Sequence, residues 1–268
     1  MSTALDRVMI GTSGYSFPDW VGPFYPPGLA SNQFLPYYAQ HFTIVEVNVT
    51  YYRIPPPQTL EQMQRKTPPG FRFMVKLHGS FTHERSLEEN SVRDFHAALG
   101  PLKAAGKYEG LLAQFPWGFR RNDRAERHLS NLRAAFPAER LFVEFRHDSW
   151  AGADVPELLR TKQLGYCVVD EPKLEGLMPP VPWITSEDAY VRFHGRNAAN
   201  WWARGEGSKD RYDYNYSEQE LREWLRRIGE MAEQARRTYL FFNNCHAGQA
   251  ARNAKLMQEL IRQQTTLS

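Results

Sequence analysis

The sequence predicts an α/β fold of the TIM-type (β/α)8 barrel class. Short apolar stretches alternate with amphipathic helical stretches along the whole chain, and eight of the apolar stretches have the character of strands. Strands that alternate with helices form parallel sheets, and eight such units favour a closed barrel over an open sheet. The chain has 268 residues, close to the roughly 250 that such a barrel requires. We therefore predict a single domain that spans residues 1–268.

The first half of the chain is predicted to form four strands with helices between them. In the second strand Val45, Val47 and Val49 alternate with polar residues, as expected when only one face is apolar. Ser31 is placed to cap the first helix. The predicted strands are 7–13, 43–50, 71–78 and 110–115, and the predicted helices are 31–38, 59–66 and 91–104.

The second half continues the alternation, with one irregular unit. Ser217 and Glu220 have the spacing of a capping box at the start of a helix. The connection 172–187 is rich in proline, so we predict an irregular sixth β/α unit. The predicted strands are 141–146, 165–170, 189–195 and 238–244, and the other predicted helices are 123–135, 154–163 and 247–263.

Composition restricts the class of protein. The 33 basic and 30 acidic residues give a net charge of +3, which by itself indicates neither a nucleic acid nor a membrane as partner. No apolar run is long enough for a membrane span, and the N-terminal segment lacks the apolar core of a signal peptide. The two cysteines are expected to be reduced thiols. We expect a cytoplasmic protein without a membrane partner.

Polar residues collect at the C-terminal ends of the predicted strands, where TIM barrels carry their chemistry. Three acids and three bases occur among them, and burying each ion costs several kcal/mol before pairing. A site with a function explains this convergence better than packing does. The residues are Glu46, Asn48, Lys76, His78, Gln114, Glu144, Arg146, Asp170, Arg192, His194 and Asn244.

The residue types suggest roles. Neighbouring charges can bring the pKa of a carboxyl or an imidazole toward neutrality, so we predict acid/base catalysis by Glu46, Glu144, His194 and Asp170. Arg146 and Arg192 suit the capture of a phosphate or carboxylate on a substrate. Because cations are interleaved with the carboxylates, no cofactor is predicted, and a divalent metal is the weaker alternative.

Several further residues are weaker candidates. Ser13 and Ser149 are conceivable nucleophiles, but no motif surrounds either of them. Cys245 and His246 are adjacent in sequence, which does not align a thiol with a base. His83 follows the third strand and is placed to reach the barrel mouth. The aromatic segment 201–216 fits either a surface that stacks bases or sugars or a lid packed on the rim.

Motifs along nearly the whole chain resemble the YecE-like family, domain of unknown function 72. The segments are GTSGYSFPDW, VEVNVTYYR, PPGFRFMVK, AQFP, FVEFRHDSW, YVRFHGRN, RYDYNYSEQEL and FFNN. The resemblance implies a TIM barrel, but no established activity. It implies a shared site at Glu46, Asn48, Lys76, Glu144, Arg146, His147, Arg192, His194, Asn243 and Asn244. Together with the strand ends, it predicts substrate binding by Asn48, Lys76, His78, Arg146, His147, Arg192, Asn243 and Asn244.

Three functions remain open at this stage. The favoured hypothesis is an enzyme that acts on a small anionic or sugar-like molecule by acid/base catalysis, as a hydrolase or lyase. The second is a nucleic-acid enzyme of the AP-endonuclease type, which rests on analogy of fold alone. The third is a non-catalytic module that binds a ligand in the same place.

Overall fold

The computed structural model describes residues 4–203 and 210–267 and confirms the predicted barrel. Within these residues, eight parallel strands pair in the order β1-β8-β7-β6-β5-β4-β3-β2. The strands are β1 (Val8–Thr12), β2 (Ile44–Val47), β3 (Arg72–Lys76), β4 (Tyr108–Gln114), β5 (Leu141–Glu144), β6 (Gly165–Asp170), β7 (Ala189–Phe193) and β8 (Thr238–Phe242).

Helices connect the strands, mostly near their predicted positions. The capping box of Ser217 and Glu220 forms as expected. The connection from β6 to β7 contains no helix in the described chain, which confirms the irregular sixth unit. The α-helices are α1 (Phe34–Tyr38), α2 (Val49–Tyr52), α3 (Pro57–Arg65), α4 (Glu89–Ala104), α5 (Asp123–Ala135), α6 (Val155–Thr161), α7 (Glu218–Gln234) and α8 (Gln249–Leu267).

Two local predictions were wrong. The second strand ends at Val47, because residues 49–52 turn into the short helix α2. Ser31 does not cap a helix through its side chain; it begins a 3-10 turn that runs directly into α1. In both places the strand or helix is shorter than its pattern suggests.

The apolar core has two parts, as expected for a closed barrel. Side chains between the strands and the surrounding helices form the larger part. A smaller buried layer fills the barrel interior below the polar residues, and Phe142 and Tyr190 pack in it with their ring centres 5.0 Å apart. This layer contains Ile44, Met74, Leu112, Phe142, Cys167, Tyr190, Tyr239 and Phe241. The interior is therefore a packed core with polar groups above it.

The barrel closes between β1 and β2 through an unusual seam. A bridge joins Ser13 to Glu46, and the Tyr38 hydroxyl accepts from the Thr12 backbone N–H at 2.9 Å and donates to the Ile44 carbonyl at 3.1 Å. Gly11 allows this close approach, since a Cβ there would lie 2.2 Å from the Ile44 carbonyl oxygen. A buried hydroxyl thus links two strands that lack a continuous ladder across the described residues.

None of the helices in residues 4–203 and 210–267 is both long enough and apolar enough to cross a membrane. The cellular location stays a prediction.

Candidate active site

A cleft of about 1130 Å³ opens at the C-terminal ends of the strands. The loop after β1 and helices α1 to α3 contribute its outer wall, including Tyr15, Phe17 and Lys66. Residues predicted from the strand ends and the family resemblance form its floor. Those that line the cleft are Glu46, Asn48, Lys76, Gln114, Arg146, Arg192 and Asn243.

Arg192 is the centre of the floor and is 1% exposed. Its Nη1 donates to Glu144 Oε2 at 2.6 Å, and its Nη2 donates to Glu46 Oε1 at 2.7 Å. The second oxygen of Glu46 accepts from the Tyr190 hydroxyl at 2.5 Å. One guanidinium therefore joins carboxylates from β2 and β5 through a residue of β7. A sugar bond cannot occupy the space between these two carboxylates, because the guanidinium fills it.

Glu144 is fully buried and binds a second arginine, Arg146. Burial opposes its ionisation, yet Arg146 and Arg192 outweigh burial and hold the pKa of Glu144 well below its ordinary value. Glu144 is therefore a permanent carboxylate near neutral pH. The contacts of Glu144 suit it to hold Arg146 and Arg192 in place more than to donate a proton to a substrate.

His194 lies beside Glu144 and is neutral. Burial, followed by the nearby Arg146, lowers the pKa of His194 to about 3. Its Nδ1 lies 2.9 Å from the Asn243 amide nitrogen, which donates to it. Its Nε2 lies 3.2 Å from Glu144 Oε1 without the alignment of a hydrogen bond. An imidazole of this kind is a weak base, so its contribution is a fixed neutral dipole beside the arginines.

Lys76 lies at the end of β3 and presents its amine to the cleft. The Nζ donates to Gln114 Oε1 at 2.8 Å and lies 4.3 Å from the centre of the Tyr51 ring. Burial and the Arg192 charge lower the pKa of Lys76 to about 7. A large fraction of the amine is therefore neutral at physiological pH, which is the form that accepts a proton or attacks a carbonyl.

Asn48 is a second polar group on this floor, one position past β2. It precedes helix α2, where an asparagine usually caps the first turn, but its side chain makes no capping bond. Its amide oxygen is buried without a hydrogen-bond partner in the described protein. A buried acceptor of this kind costs free energy unless a ligand or water satisfies it.

Glu171 was not selected from the sequence, yet it belongs to this cluster. Its carboxylate accepts from Arg146 Nη1 at 3.2 Å and from the Met178 backbone N–H at 3.1 Å. Burial raises the pKa of Glu171 to about 8, because the opposing effect of Arg146 is partly offset by Glu144. In the structure Cys167 faces the barrel interior, and Glu171 lies four residues further along the chain, on the same side by strand parity. The sequence contains no signal for this choice, because β6 is apolar on both faces.

The structure separates Asp170 and His78 from the cluster, contrary to the expectation that they face inward. Asp170 points to the opposite face of β6, where Arg196 Nε donates to it at 3.0 Å. His78 lies past the end of β3, and its ring contacts Ser80 Oγ at 2.8 Å at the start of a π-helical turn. Neither residue lines the cleft in the described chain.

His147 and Asn244 also have local structural partners instead of positions in the cleft. His147 Nδ1 accepts from the Ser149 backbone N–H at 3.0 Å and caps a 3-10 turn. Asn244 donates to the Tyr214 carbonyl at 2.8 Å and to Asn253 Oδ1 at 2.7 Å. Both follow strands that end earlier than predicted, so alternation no longer controls their direction.

The weaker nucleophile candidates do not form catalytic pairs. Ser13 Oγ accepts from Arg192 Nη2 at 3.2 Å. Ser149 does not line the cleft, and its Oγ accepts from the Arg121 backbone N–H at 2.9 Å. Cys245 lines the cleft, but burial raises the pKa of its thiol. His246 contacts Asp213 at 3.1 Å, so the sequence neighbours do not act as a dyad in this arrangement.

Two remaining expectations concern the rim. His83 packs its ring 5.0 Å from that of Tyr51, a residue that lines the cleft, but does not itself line it in the described chain. In the aromatic segment, Trp201 is buried, Trp202 is half exposed and Tyr212 lines the cleft. Positions 204–209 of that segment lie outside the described residues.

The grouping of potential metal ligands bears on whether the cleft could hold a metal ion. In the parts of the chain that the structure describes, no three His, Cys, Asp or Glu side chains are grouped for this purpose. The acidic side chains of the floor form ion pairs with arginines; Glu46 and Glu144, for example, both bind Arg192. The prediction about cofactors stays a prediction.

Comparison with known proteins connects this geometry to a family. The family model described as "Protein of unknown function DUF72" matches residues 9–268. The chain belongs to the DUF72 family. This DUF72 chain is 33% identical over 273 residues to the UPF0759 protein YunF of Bacillus subtilis (strain 168), and the match covers 95% of this chain and 94% of YunF.

Solved structures of DUF72 proteins have the same barrel. A DUF72 family protein from Thermotoga maritima MSB8 is 42% identical, with a TM-score of 0.88 over 96% of this chain and 99% of that chain. Another from Enterococcus faecalis V583 is 27% identical, with a TM-score of 0.85 over 95% of each chain. The predicted family and the predicted fold are both confirmed.

Proposed function

We propose that this DUF72 protein is an enzyme that binds a small anionic or sugar-like molecule in the cleft and acts on it by acid/base chemistry. One observation carries the proposal. The cleft floor combines the Lys76 amine, the unpartnered Asn48 amide oxygen and the guanidinium of Arg146. Such groups converge at functional sites far more often than in structural cores.

Each group has a chemical task in this proposal. Neutral Lys76 accepts a proton from the substrate, because its pKa lies near neutral pH. Asn48 accepts a hydrogen bond from a substrate hydroxyl. Arg146 contributes positive charge toward an anionic group, while Glu144 and Glu171 hold its side chain in place. The Glu46–Arg192–Glu144 network fixes the floor and does not itself transfer the proton.

The test is a thermal-shift screen at two salt concentrations. Sugar phosphates, hydroxy acids and short oligonucleotides are compared, followed by NMR detection of turnover for each compound that binds. A ligand at about 100 times its dissociation constant adds roughly 2.7 kcal/mol, which corresponds to several degrees of melting temperature. A shift by a small compound that persists in high salt, followed by turnover, supports the proposal. Tight binding without chemical change of the ligand would refute the proposal of an enzyme and favour a non-catalytic binding module.

A matched pair of variants localises the binding. Asn48→Leu removes the unpartnered acceptor and is expected to abolish the shift. Gln62→Leu makes the same kind of change on the exposed outer wall and is expected to preserve it. Equal binding by both variants would contradict the assignment of the floor as the binding site.

The aromatic outer wall supports a second candidate, a nucleic-acid enzyme. Tyrosine and phenylalanine rings can stack bases, and Lys66 adds a positive charge at this wall. This candidate predicts oligonucleotide binding that weakens steeply with salt. Affinity that does not change between low and moderate salt would count against it. The aromatic residues that line the cleft are Tyr15, Phe17, Tyr51, Tyr52 and Tyr212.

A further inference from the structure

We propose that Lys76 is a nucleophile that forms a covalent imine with the carbonyl carbon of a small hydroxylated aldehyde or ketone. The inference rests on the proposed function, whose site it shares, and it names both the substrate class and the first chemical step. It begins from the position of the amine, which lies on the cleft floor at the C-terminal end of a barrel strand.

The backbone and the neighbours of Lys76 hold this amine in one place. Its carbonyl accepts from Thr50 Oγ1 at 2.6 Å, which ties the end of β3 to helix α2. The amine itself rests between Gln114 and the face of Tyr51. A long, flexible lysine side chain is thereby restricted to an orientation toward the cleft, as a nucleophile requires.

The partners of the amine are neutral. In the described part of the chain, Lys76 forms no ion pair, although two carboxylates lie on the same floor. Arg192 occupies the facing oxygens of Glu46 and Glu144, and Arg146 occupies Glu144 and Glu171. Burial and the Arg192 charge therefore oppose the ammonium form of Lys76, and the arginine-bound Glu46 and Glu144 offset this only in part.

The chemistry balances without any other reagent. The neutral nitrogen attacks the carbonyl carbon, and the C=O electron pair moves to oxygen to give a carbinolamine. A proton moves from nitrogen to that oxygen through water. The nitrogen lone pair then forms the C=N bond as the C–O bond breaks, and the hydroxide that leaves takes a proton from solvent, so the product is the protonated imine. The protonated imine then lies over the Tyr51 face, where a ring stabilises a cation.

The neighbouring asparagine indicates that the substrate carries hydroxyl groups. Val47 pairs with Val75 at the end of the β2–β3 ladder, and Asn48 and Lys76 come directly after this pair in their segments. The Asn48 oxygen has no partner in the described protein and can accept from a hydroxyl close to the carbonyl. A hydroxyaldehyde or hydroxyketone fits both groups together.

The experiment traps the imine by reduction. The protein is incubated at pH 7 with sodium cyanoborohydride and, separately, glycolaldehyde, dihydroxyacetone phosphate or pyruvate, and the modified peptides are mapped by mass spectrometry. We expect at least about tenfold more adduct on Lys76 than on any other lysine, because an ordinary lysine is neutral in fewer than about one in a thousand molecules at pH 7. We expect the hydroxylated carbonyls to react better than pyruvate.

Two variants provide the controls. Lys66→Arg changes the other lysine that lines the cleft and should leave the Lys76 adduct unchanged. Lys76→Arg keeps the positive charge but cannot form an imine, so its modification should fall to the level of the remaining lysines. Equal modification of Lys76→Arg and the wild type, or adduct spread evenly over the lysines, would overturn the proposal.

A measurement on the wild-type protein covers the case in which Lys76→Arg does not fold. Competitive labelling with acetic anhydride over a pH series reports the titration of each lysine. A midpoint for Lys76 near pH 7 supports the nucleophile, and a midpoint above about 9 overturns it.

The thermal-shift screen separates failure of this inference from failure of the proposed function. A carbonyl compound that stabilises the protein and is turned over without a Lys76 adduct refutes the imine and leaves acid/base catalysis standing. If no compound binds and no adduct forms, both the imine and the proposed enzyme function are refuted.

Discussion

The backbone of Ser13 pairs with that of Glu46, and this bridge joins the first strand of the barrel to the second. The Ser13 hydroxyl also accepts from Arg192, which binds the Glu46 carboxylate. Closure of the barrel and assembly of the cleft floor therefore use the same two residues. A change that loosens this seam is expected to affect stability and ligand binding together.

The Tyr38→Phe variant tests the seam directly. The change removes the hydroxyl that accepts from the Thr12 N–H and donates to the Ile44 carbonyl, and leaves both groups buried without that partner. We expect a loss of about 1–3 kcal/mol in the free energy of unfolding, measured by urea denaturation. Tyr37→Phe, the same change on a partly exposed neighbour, serves as the control and should cost less than about 0.5 kcal/mol. Equal effects would show that the hydroxyl does not hold the seam.

Glu144→Gln is predicted to destabilise the fold as well as the site. It removes the charge between Arg146 and Arg192, and breaking a buried ion pair from one side costs about 3–5 kcal/mol. A purely catalytic role for Glu144, as predicted from the sequence, would instead give a loss of turnover with an intact fold. Urea denaturation of the variant decides between these outcomes, with Glu157→Gln in an exposed pair as a control expected to lose less than about 1 kcal/mol.

The pH dependence of the same residue has a definite sign. The folded pKa of Glu144 is depressed, so its contribution to stability is present above its ordinary pKa of about 4.3 and disappears as the pH falls through the folded value. The stability difference between the wild type and Glu144→Gln should therefore shrink in acid. A difference that grows below pH 4 would contradict the ionised, arginine-bound carboxylate.

The strand pattern predicted those site residues whose strands have one clear polar face. Glu46, Lys76, Glu144 and Arg192 alternate with apolar neighbours, so their inward direction could be inferred from sequence. Strand β6 is buried on both faces, which removes the alternation that would have distinguished Asp170 from Glu171.

The remaining errors have a different origin. His78, His147 and Asn244 follow strands that end before them, where turns and caps decide the direction of a side chain. The pairing of Arg192 with Glu46, across 146 residues of sequence, depends on barrel closure and could not be predicted from local pattern. The sequence therefore showed most of the charges that meet, with Asp170 in the place of Glu171, but not which of them neutralise each other.

Glu171→Gln tests the acid that the sequence analysis missed. The folded pKa of Glu171 is raised to about 8, so its favourable contribution is complete below its ordinary pKa and is lost as the pH rises to about 8. The stability of the wild type relative to Glu171→Gln should fall between about pH 5 and pH 8. Urea denaturation at four pH values measures this trend, and Glu175→Gln on the exposed surface is the control. A difference independent of pH would refute the raised pKa.

Glu109→Gln distinguishes stability from function at the opposite end of the barrel. The Glu109 carboxylate accepts from Arg140 at 2.9 Å, from Arg237 at 2.6 Å and from the Tyr239 hydroxyl at 2.7 Å, and Arg72 lies 3.0 Å away. Loss of its charge leaves three arginines facing one another, so we expect a loss of roughly 3 kcal/mol in stability. The melting temperature should fall by several degrees, whereas ligand affinity in the cleft should remain at the wild-type value. A loss of affinity without a loss of stability would mean that this end of the barrel communicates with the cleft.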